Sequence, residues 1–255
     1  MAGSWRLSRD ADPAATVRLM TWNIHGAVGR NPRFDLDRVV ALVTRHNPDI
    51  VALQEVDSRR ARGAHVGNPF DVLQQALGGH AIGAKTVTTA DGDYGQALIS
   101  RWPVLSVEVH DLSFRRREPR RAICGDVQTP FGPLRIVATH LGLSFRERDS
   151  QALALLKMLG PLHTTTVALG DFNDWLWVGS VRRRLQRALP GFTRHSTFPA
   201  RWPLFHLDRI YVRPAEAMVR SHTDLEARAL SDHLPVIADI CIAPSGEGGD
   251  GPADR

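Results

Sequence analysis

The chain has 255 residues, with 32 Lys+Arg against 27 Asp+Glu, a formal charge of +5, and 43% hydrophobic residues. That length and apolar content suit one large domain with a substantial core, and a 23% charged fraction excludes a disordered or fibrous chain. Two cysteines exclude a disulfide framework and a four-cysteine zinc site. Cys124 and Cys241 both lie in apolar, strand-like stretches and are expected to be buried and reduced. No run approaches the roughly 18 apolar residues that span a bilayer. The opening MAGSWRLSRDADPAATVRLM lacks the apolar region of a signal peptide, so a soluble, cytoplasmic protein is expected. Lys85 and Lys157 are the only lysines. A charge carried by arginine suits a polyanionic partner, and equally a genome whose codons favour arginine.

In chain order, residues 1–16 read as a disordered lead-in. Val17–Trp22 reads as a strand and Asp35–His46 as a helix with Val39, Val40, Leu42 and Val43 on its apolar face. Asp49–Gln54 follows as a buried strand and Phe70–Leu77 as a short helix. Strands come next at Ala81–Thr88, Gln96–Ser100, Val104–Leu112, Ala122–Gln128 and Leu134–Thr139. The turn Thr129-Pro-Phe-Gly-Pro133 joins the last two as an antiparallel hairpin. A long helix is predicted over Glu147–Leu159, a strand over Thr165–Leu169 and a basic helix over Val181–Leu189. Strands at Leu207–Val212, Met218–Thr223 and Leu234–Ile242 close the domain, which runs over 17–243. The Gly- and Pro-rich tail 244–255 reads as disordered. Strands mixed with helices, and hairpins among them, predict a layered α/β (α+β) protein of two mixed sheets packed face to face and flanked by helices.

Polar side chains recur where apolar strands begin or end. Asn23 ends VRLMTWN, Glu55 ends DIVALQE, His140 ends LRIVATH, and Asp171 and Asn173 end TVALGDFN; Asp208 opens DRIYV, and Asp232-His233 open DHLPVIADI. Each has an ordinary explanation alone: a capped turn, a solvated strand end or a structural histidine. Together they form a set of acids, amides and histidines that antiparallel pairing would gather on one rim.

The motifs WNIHG, LQEVD, ATHL, GDFND, LDRIYV and SDHLPV, in that order from about Val17 to Ile242, resemble the endonuclease/exonuclease/phosphatase superfamily. The chain is most similar to its short bacterial metal-dependent hydrolases. The resemblance implies a four-layered, deoxyribonuclease-like sandwich with two mainly antiparallel sheets.

Phosphate ester hydrolysis needs an activated water, neutralised phosphoryl oxygens and help for the leaving oxygen. A hard cation suits the second need, and magnesium prefers oxygen ligands such as the Glu55 carboxylate and the Asn23 carbonyl. The resemblance implies the same pair at the metal, with manganese as a substitute and Asp232 as a ligand or an orienting carboxylate. Zinc is disfavoured, since no tight His/Cys spacing occurs. The resemblance further implies that Asp171 polarises water, that Asn173 orients the water or the phosphate, and that Asp208 partners His233. His140 and His233 are candidate proton donors.

The resemblance places an arginine facing phosphate near the start of AICGDV, and Arg121, beside Arg120 at the end of the basic stretch FRRREPRR, is the candidate; a solvated loop is the equal alternative for that stretch. His25, although within WNIHG, and His110 and His195 are given no site role and default to structural or surface roles. The arginines of 182–187 read as a solvated helix face, and Trp175 and Trp177 as core or pocket wall.

The reading is a magnesium-dependent phosphoesterase that cleaves a phosphodiester, or a phosphomonoester, by metal-assisted in-line attack of water. A DNA or RNA nuclease using the same site is the alternative, favoured by a pI of about 10.0; a lipid-directed phosphodiesterase also stays open. The filled residue set argues against a non-catalytic binding protein. The sequence sets neither the substrate nor the oligomeric state.

Overall fold

The computed structural model describes residues 16–29, 34–61, 67–175 and 179–242. The expected lead-in, apart from Thr16, lies outside the described residues, as do the expected tail and Trp177. The elements run β1 (Thr16–Asn23), α1 (Leu36–His46), β2 (Ile50–Asp57), α2 (Pro69–Leu77), β3 (His80–Thr89), β4 (Gly92–Ser100), β5 (Val104–Asp111), β6 (Arg121–Thr129) and β7 (Gly132–His140). They continue α3 (Phe145–Met158), β8 (Thr165–Asp171), α4 (Ser180–Ala188), β9 (Gly191–Phe192), β10 (Asp208–Arg213), β11 (Met218–Thr223) and β12 (Val236–Cys241).

Local chemistry marks the helix ends. The Asp35 carboxylate accepts the Arg38 N–H at 3.2 Å to start α1, and Asn47 closes it in the left-handed conformation that asparagine tolerates. Asn68 caps α2 in the same way through the Phe70 N–H, with Pro69 in the first turn.

The strands form two six-stranded sheets, ordered β11-β12-β1-β2-β4-β3 and β5-β6-β7-β8-β10-β9. Every neighbouring pair is antiparallel except β1–β2 and β7–β8. Parallel neighbours need a crossover, and α1 and α3 supply the two. Val17, Leu19, Leu98, Ile123, Ile136 and Val167 belong to one buried cluster between the sheets. The outer face of the first sheet packs on α1 and α2 through Val39, Val43 and Leu73. The second sheet packs on α3 and α4 through Leu155, Val181 and Leu185. The result is the four-layered sandwich expected, with burial of these apolar side chains as its main favourable term. Among the described residues, no helix is long and apolar enough to cross a membrane.

The differences from the sequence reading are local. β2 runs on past Gln54 to Asp57, because its partner β4 starts early, at Gly92. The two-residue β9 pairs with β10 and has no periodic signal of its own. Cys124 is buried, whereas Cys241 at a strand end is half-buried. GDFN is not a turn following a finished strand: Gly170 and Asp171 are the last residues of β8.

Gly170 has a specific reason to be glycine. Its φ is +147°, and a Cβ there would lie 1.9 Å from the Thr139 carbonyl oxygen in the parallel ladder with β7. Gly170→Ala should therefore destabilise the fold by at least about 3 kcal/mol in chemical denaturation, and displace Asp171. A loss below about 1 kcal/mol would mean that this close approach is not required.

Candidate active site

In each sheet the parallel pair ends at the rim where an antiparallel neighbour begins, and both sheets present that rim to one cleft. Asn23, Glu55, His140 and Asp171 come from the ends of β1, β2, β7 and β8. Asp208 opens β10 directly across from Asp171, and Asp232 and His233 precede β12.

Glu55 is turned out of its ladder. The β2–β4 register shifts between Leu53 and Val56, and Glu55 takes a φ of +56°, so the bulge aims its carboxylate along the rim. The Asn23 Nδ2 donates to Glu55 Oε1 at 2.8 Å and to Asp171 Oδ2 at 3.1 Å, tying the two sheets together. Burial alone would raise the Glu55 pKa; bonds from His25 and Asn23 outweigh it and hold the group at about 2, ionised.

Asp171 is buried. Its Oδ1 accepts the Asn173 N–H at 2.9 Å, and the Asn173 side chain donates to the Leu141 carbonyl at 2.9 Å. Asn173 stands in the left-handed region at a φ of +49°, so its amide anchors the carboxylate and the β7 exit together. Burial and the neighbouring Asp208 charge raise the Asp171 pKa to about 6, against the opposing pull of His233 and its hydrogen bonds.

The two histidines are held in opposite states. His233 Nδ1 donates to Asp208 Oδ2 at 2.7 Å, and its Nε2 lies 3.9 Å from Asp171. Burial would lower its pKa, but the Asp208 and Asp171 carboxylates raise it to about 10, so it is an imidazolium. His140 Nδ1 accepts from the Arg120 guanidinium at 3.1 Å, which places its proton on Nε2, 3.5 Å from Asp171. Burial, with the Arg120 charge beside it, lowers its pKa to about 3, so this ring is neutral.

The structure gathers Asn23, Glu55, His140, Asp171, Asn173, Asp208, Asp232 and His233, and places Arg121 at the outer edge of the opening that Arg120 and His140 line. The Arg121 side chain is exposed, and its carbonyl accepts from Gln96 at 2.7 Å. Arg120 is the arginine inside the cleft, buried, with its Nε lacking a hydrogen-bond partner among the described residues. His25, expected to be structural, is also at the site: its Nδ1 lies 3.6 Å from Glu55 and 3.5 Å from Asp232. Its signal in the chain was its place inside WNIHG, two residues beyond Asn23. Trp175 packs edge-on against Phe198, whose ring lies 4.8 Å from that of His233, so it supports the cleft wall.

Two groups of side chains could hold a cation. Asp171, Asp208 and His233 bring ligand atoms within 4.8 Å of one another, but a proton already sits between His233 and Asp208. Glu55 is ionised and partly open, with Asn23, Asp232 and His25 around it. The Glu55 and Asp232 carboxylates are donors suited to a hard divalent ion. Asn23 would join them through its Oδ1, which here accepts the His25 backbone N–H at 3.1 Å while its Nδ2 faces Glu55.

Residues 20–233 match the Endonuclease/Exonuclease/phosphatase family, and the chain belongs to it. It is 32% identical over 243 residues to the uncharacterised protein YbhP of Escherichia coli K12, an alignment covering 88% of this chain and 96% of that one. An endonuclease/exonuclease/phosphatase from Beutenbergia cavernae superposes with a TM-score of 0.73 at 22% identity, covering 91% of this chain and 72% of the other. A mannosyl-6-phosphatase from Bacteroides thetaiotaomicron superposes with a TM-score of 0.65 at 16% identity, covering 87% and 98%.

The opposite protonation states have a direct readout. In nitrogen NMR of the imidazoles, His233 should stay protonated from pH 6 to 9 and His140 should stay neutral throughout. Asp208→Asn should bring the His233 midpoint down into that window. A wild-type His233 midpoint near the ordinary 6.5 would contradict the arrangement.

Proposed function

We propose that this protein is a divalent-metal-dependent phosphoesterase, with magnesium as the resident ion and manganese as a substitute, acting on phosphodiesters in preference to phosphomonoesters. The observation that carries the reading is the convergence of Glu55, Asn23, Asp171, Asp208 and His233 on one rim, one carboxylate open and ionised and another buried with its pKa near neutrality. Asn23, Glu55 and Asp232 would hold the ion, which when bound neutralises charge on the phosphoryl oxygens. Asp171, anchored by Asn173, accepts a proton from the attacking water; a pKa of about 6 suits a base working at neutral pH. The His233 imidazolium, oriented by Asp208, and the neutral His140, donating from Nε2, face the developing negative charge. The unpartnered Arg120 Nε adds a buried donor for a phosphoryl oxygen, the task first given to Arg121.

The cleft has a narrow opening on one flank, lined by Thr86, Tyr94, Gln96, Arg120, Arg121 and His140, and a wider one on the other, lined by His25, Pro199, Ala200 and Asp232. The His25 flank, with a cavity of about 330 Å³, could take one ester substituent of a phosphodiester. The phosphatase named among the structural neighbours keeps a phosphomonoester as the second substrate class to assay. A nucleic acid comes third. Of the α4 arginines, Arg184 is engaged by Asp149 at 3.0 Å and Arg182 lies 6.0 Å from the Phe192 ring, which leaves fewer for a polyanion. The free thiols Cys124 and Cys241 fit a cytoplasmic location.

Two substitutions test the assignment on bis(p-nitrophenyl) phosphate. Glu55→Gln should abolish turnover and, in calorimetry, metal binding; wild-type affinity for magnesium or manganese would show that the ion sits elsewhere. Asp171→Asn should cut the rate by about 10²–10⁴-fold without lowering the melting temperature, since only the charge that polarises water is lost. The wild-type rate should rise through pH about 6 as Asp171 deprotonates and fall towards pH about 10 as His233 does. A rising limb that persists in Asp171→Asn would assign it to another group.

A further inference from the structure

We infer that the cavity beside His25 and Asp232 is a second anion subsite, so that the substrate is a compact phosphodiester carrying another phosphate or carboxylate group. The inference rests on the phosphoesterase reading and adds the substrate class to it.

The cavity has a volume of about 330 Å³. It opens from the site, because His25, Ser231 and Asp232 belong to its lining. Pro199, Ala200 and Val28 supply apolar wall, and Arg201 and Arg228 supply the charge. A volume at the low end of ligand pockets admits one small group and not a duplex.

Both arginines are exposed, and neither has a carboxylate partner among the described residues. Other arginines facing strand edges are engaged: Arg18 and Arg220 share Asp239, Arg135 meets Asp126, and Arg101 meets Asp49. Arg201 and Arg228 are set apart by lining one cavity that opens from the site. Two unmatched guanidiniums lining one cavity beside a phosphate-handling centre are suited to an anion, whose oxygens they can bind through paired N–H donors.

The backbone fixes them there. The Ala200 N–H donates to the Asp232 carbonyl at 2.6 Å, the Leu234 N–H to the Thr197 carbonyl at 2.9 Å, and Phe198 bridges Phe205 across the turn that carries Arg201. Arg228 stands in a short 3-10 turn, Leu225–Ala229, that leads straight into Ser231 and Asp232. The opposite wall is drawn in close at Gly29, where a Cβ would lie 2.2 Å from the Ala229 carbonyl. Both cationic positions are thus tied to the loop that carries His233, and a second anionic group held there would set the position of the scissile phosphate.

The test compares thymidine 5′-(p-nitrophenyl phosphate) with the same diester bearing a 3′-phosphate, using the full chain with manganese. The second substrate should show a KM lower by about tenfold or more, the size expected of a charged pair of contacts. In Arg201→Ala/Arg228→Ala the ratio of the two KM values should fall to near one, while Arg187→Ala on the distant α4 should leave it as in the wild type. Equal KM values in the wild type, or a preference that survives the double substitution, would overturn the subsite. Calorimetry with thymidine 3′,5′-bisphosphate and calcium separates this from failure of the catalytic reading. If neither diester is cleaved, binding that weakens about tenfold in the double variant keeps the subsite, and binding indifferent to it removes the subsite. Both positions are solvent-exposed, so circular dichroism melting should match the wild type, and any variant that melts early is replaced by its Arg→Gln counterpart.

Discussion

The Asn23 side-chain amide, bonded at once to Glu55 in its own sheet and to Asp171 in the other, fixes the distance between the two halves of the site. Around it lies a buried group of charges that could not persist alone. Asp171 and Asp208 face each other across β8 and β10 with almost no exposure, an arrangement that costs free energy unless a counter-charge is present. The His233 imidazolium is that counter-charge, and burial, together with the Asp208 charge, still keeps the Asp171 pKa raised against it. The same burial and neighbouring charge make Asp171 a base suited to neutral pH. Chemistry and instability therefore have one source.

Topology explains how such different segments reach one rim. Each six-stranded sheet has a single parallel pair, and each parallel pair is joined by a helix that packs on the outer face. Strands that run parallel end at the same edge, so Asn23 with Glu55, and His140 with Asp171, are delivered as pairs. The antiparallel neighbours β10 and β12 begin where those pairs end, which places Asp208 and His233 opposite them. The contents of the site follow from strand direction, and the interior apolar faces decide only how the two sheets stack.

Much of this was legible in the chain. Runs such as VRLMTWN and LRIVATH announce buried strands, and a polar residue following each run marks its rim. What the sequence could not state is set by backbone conformation and by contacts between distant segments. Glu55 needed a bulge to aim it, and a bulge has no signature in alternating hydrophobicity. His25 follows Asn23 in a turn where His25, Gly26 and Ala27 all have positive φ, a run that propensity does not anticipate. Arg120 and Arg121 are identical by composition, and only the start of β6 decides which of them turns inward against His140. The glycine of GDFN lets two parallel strands approach, a role that a Gly-Asp pair does not announce.

The central claim is that water, prepared by Asp171 beside a cation held at Glu55, attacks phosphorus. Hydrolysis of bis(p-nitrophenyl) phosphate in oxygen-18 water with manganese, read by mass spectrometry, tests it most directly. The account expects one heavy oxygen in the released p-nitrophenyl phosphate and none in p-nitrophenol, with no release after chelation. Heavy oxygen in the phenol, or undiminished turnover in chelator, would contradict it.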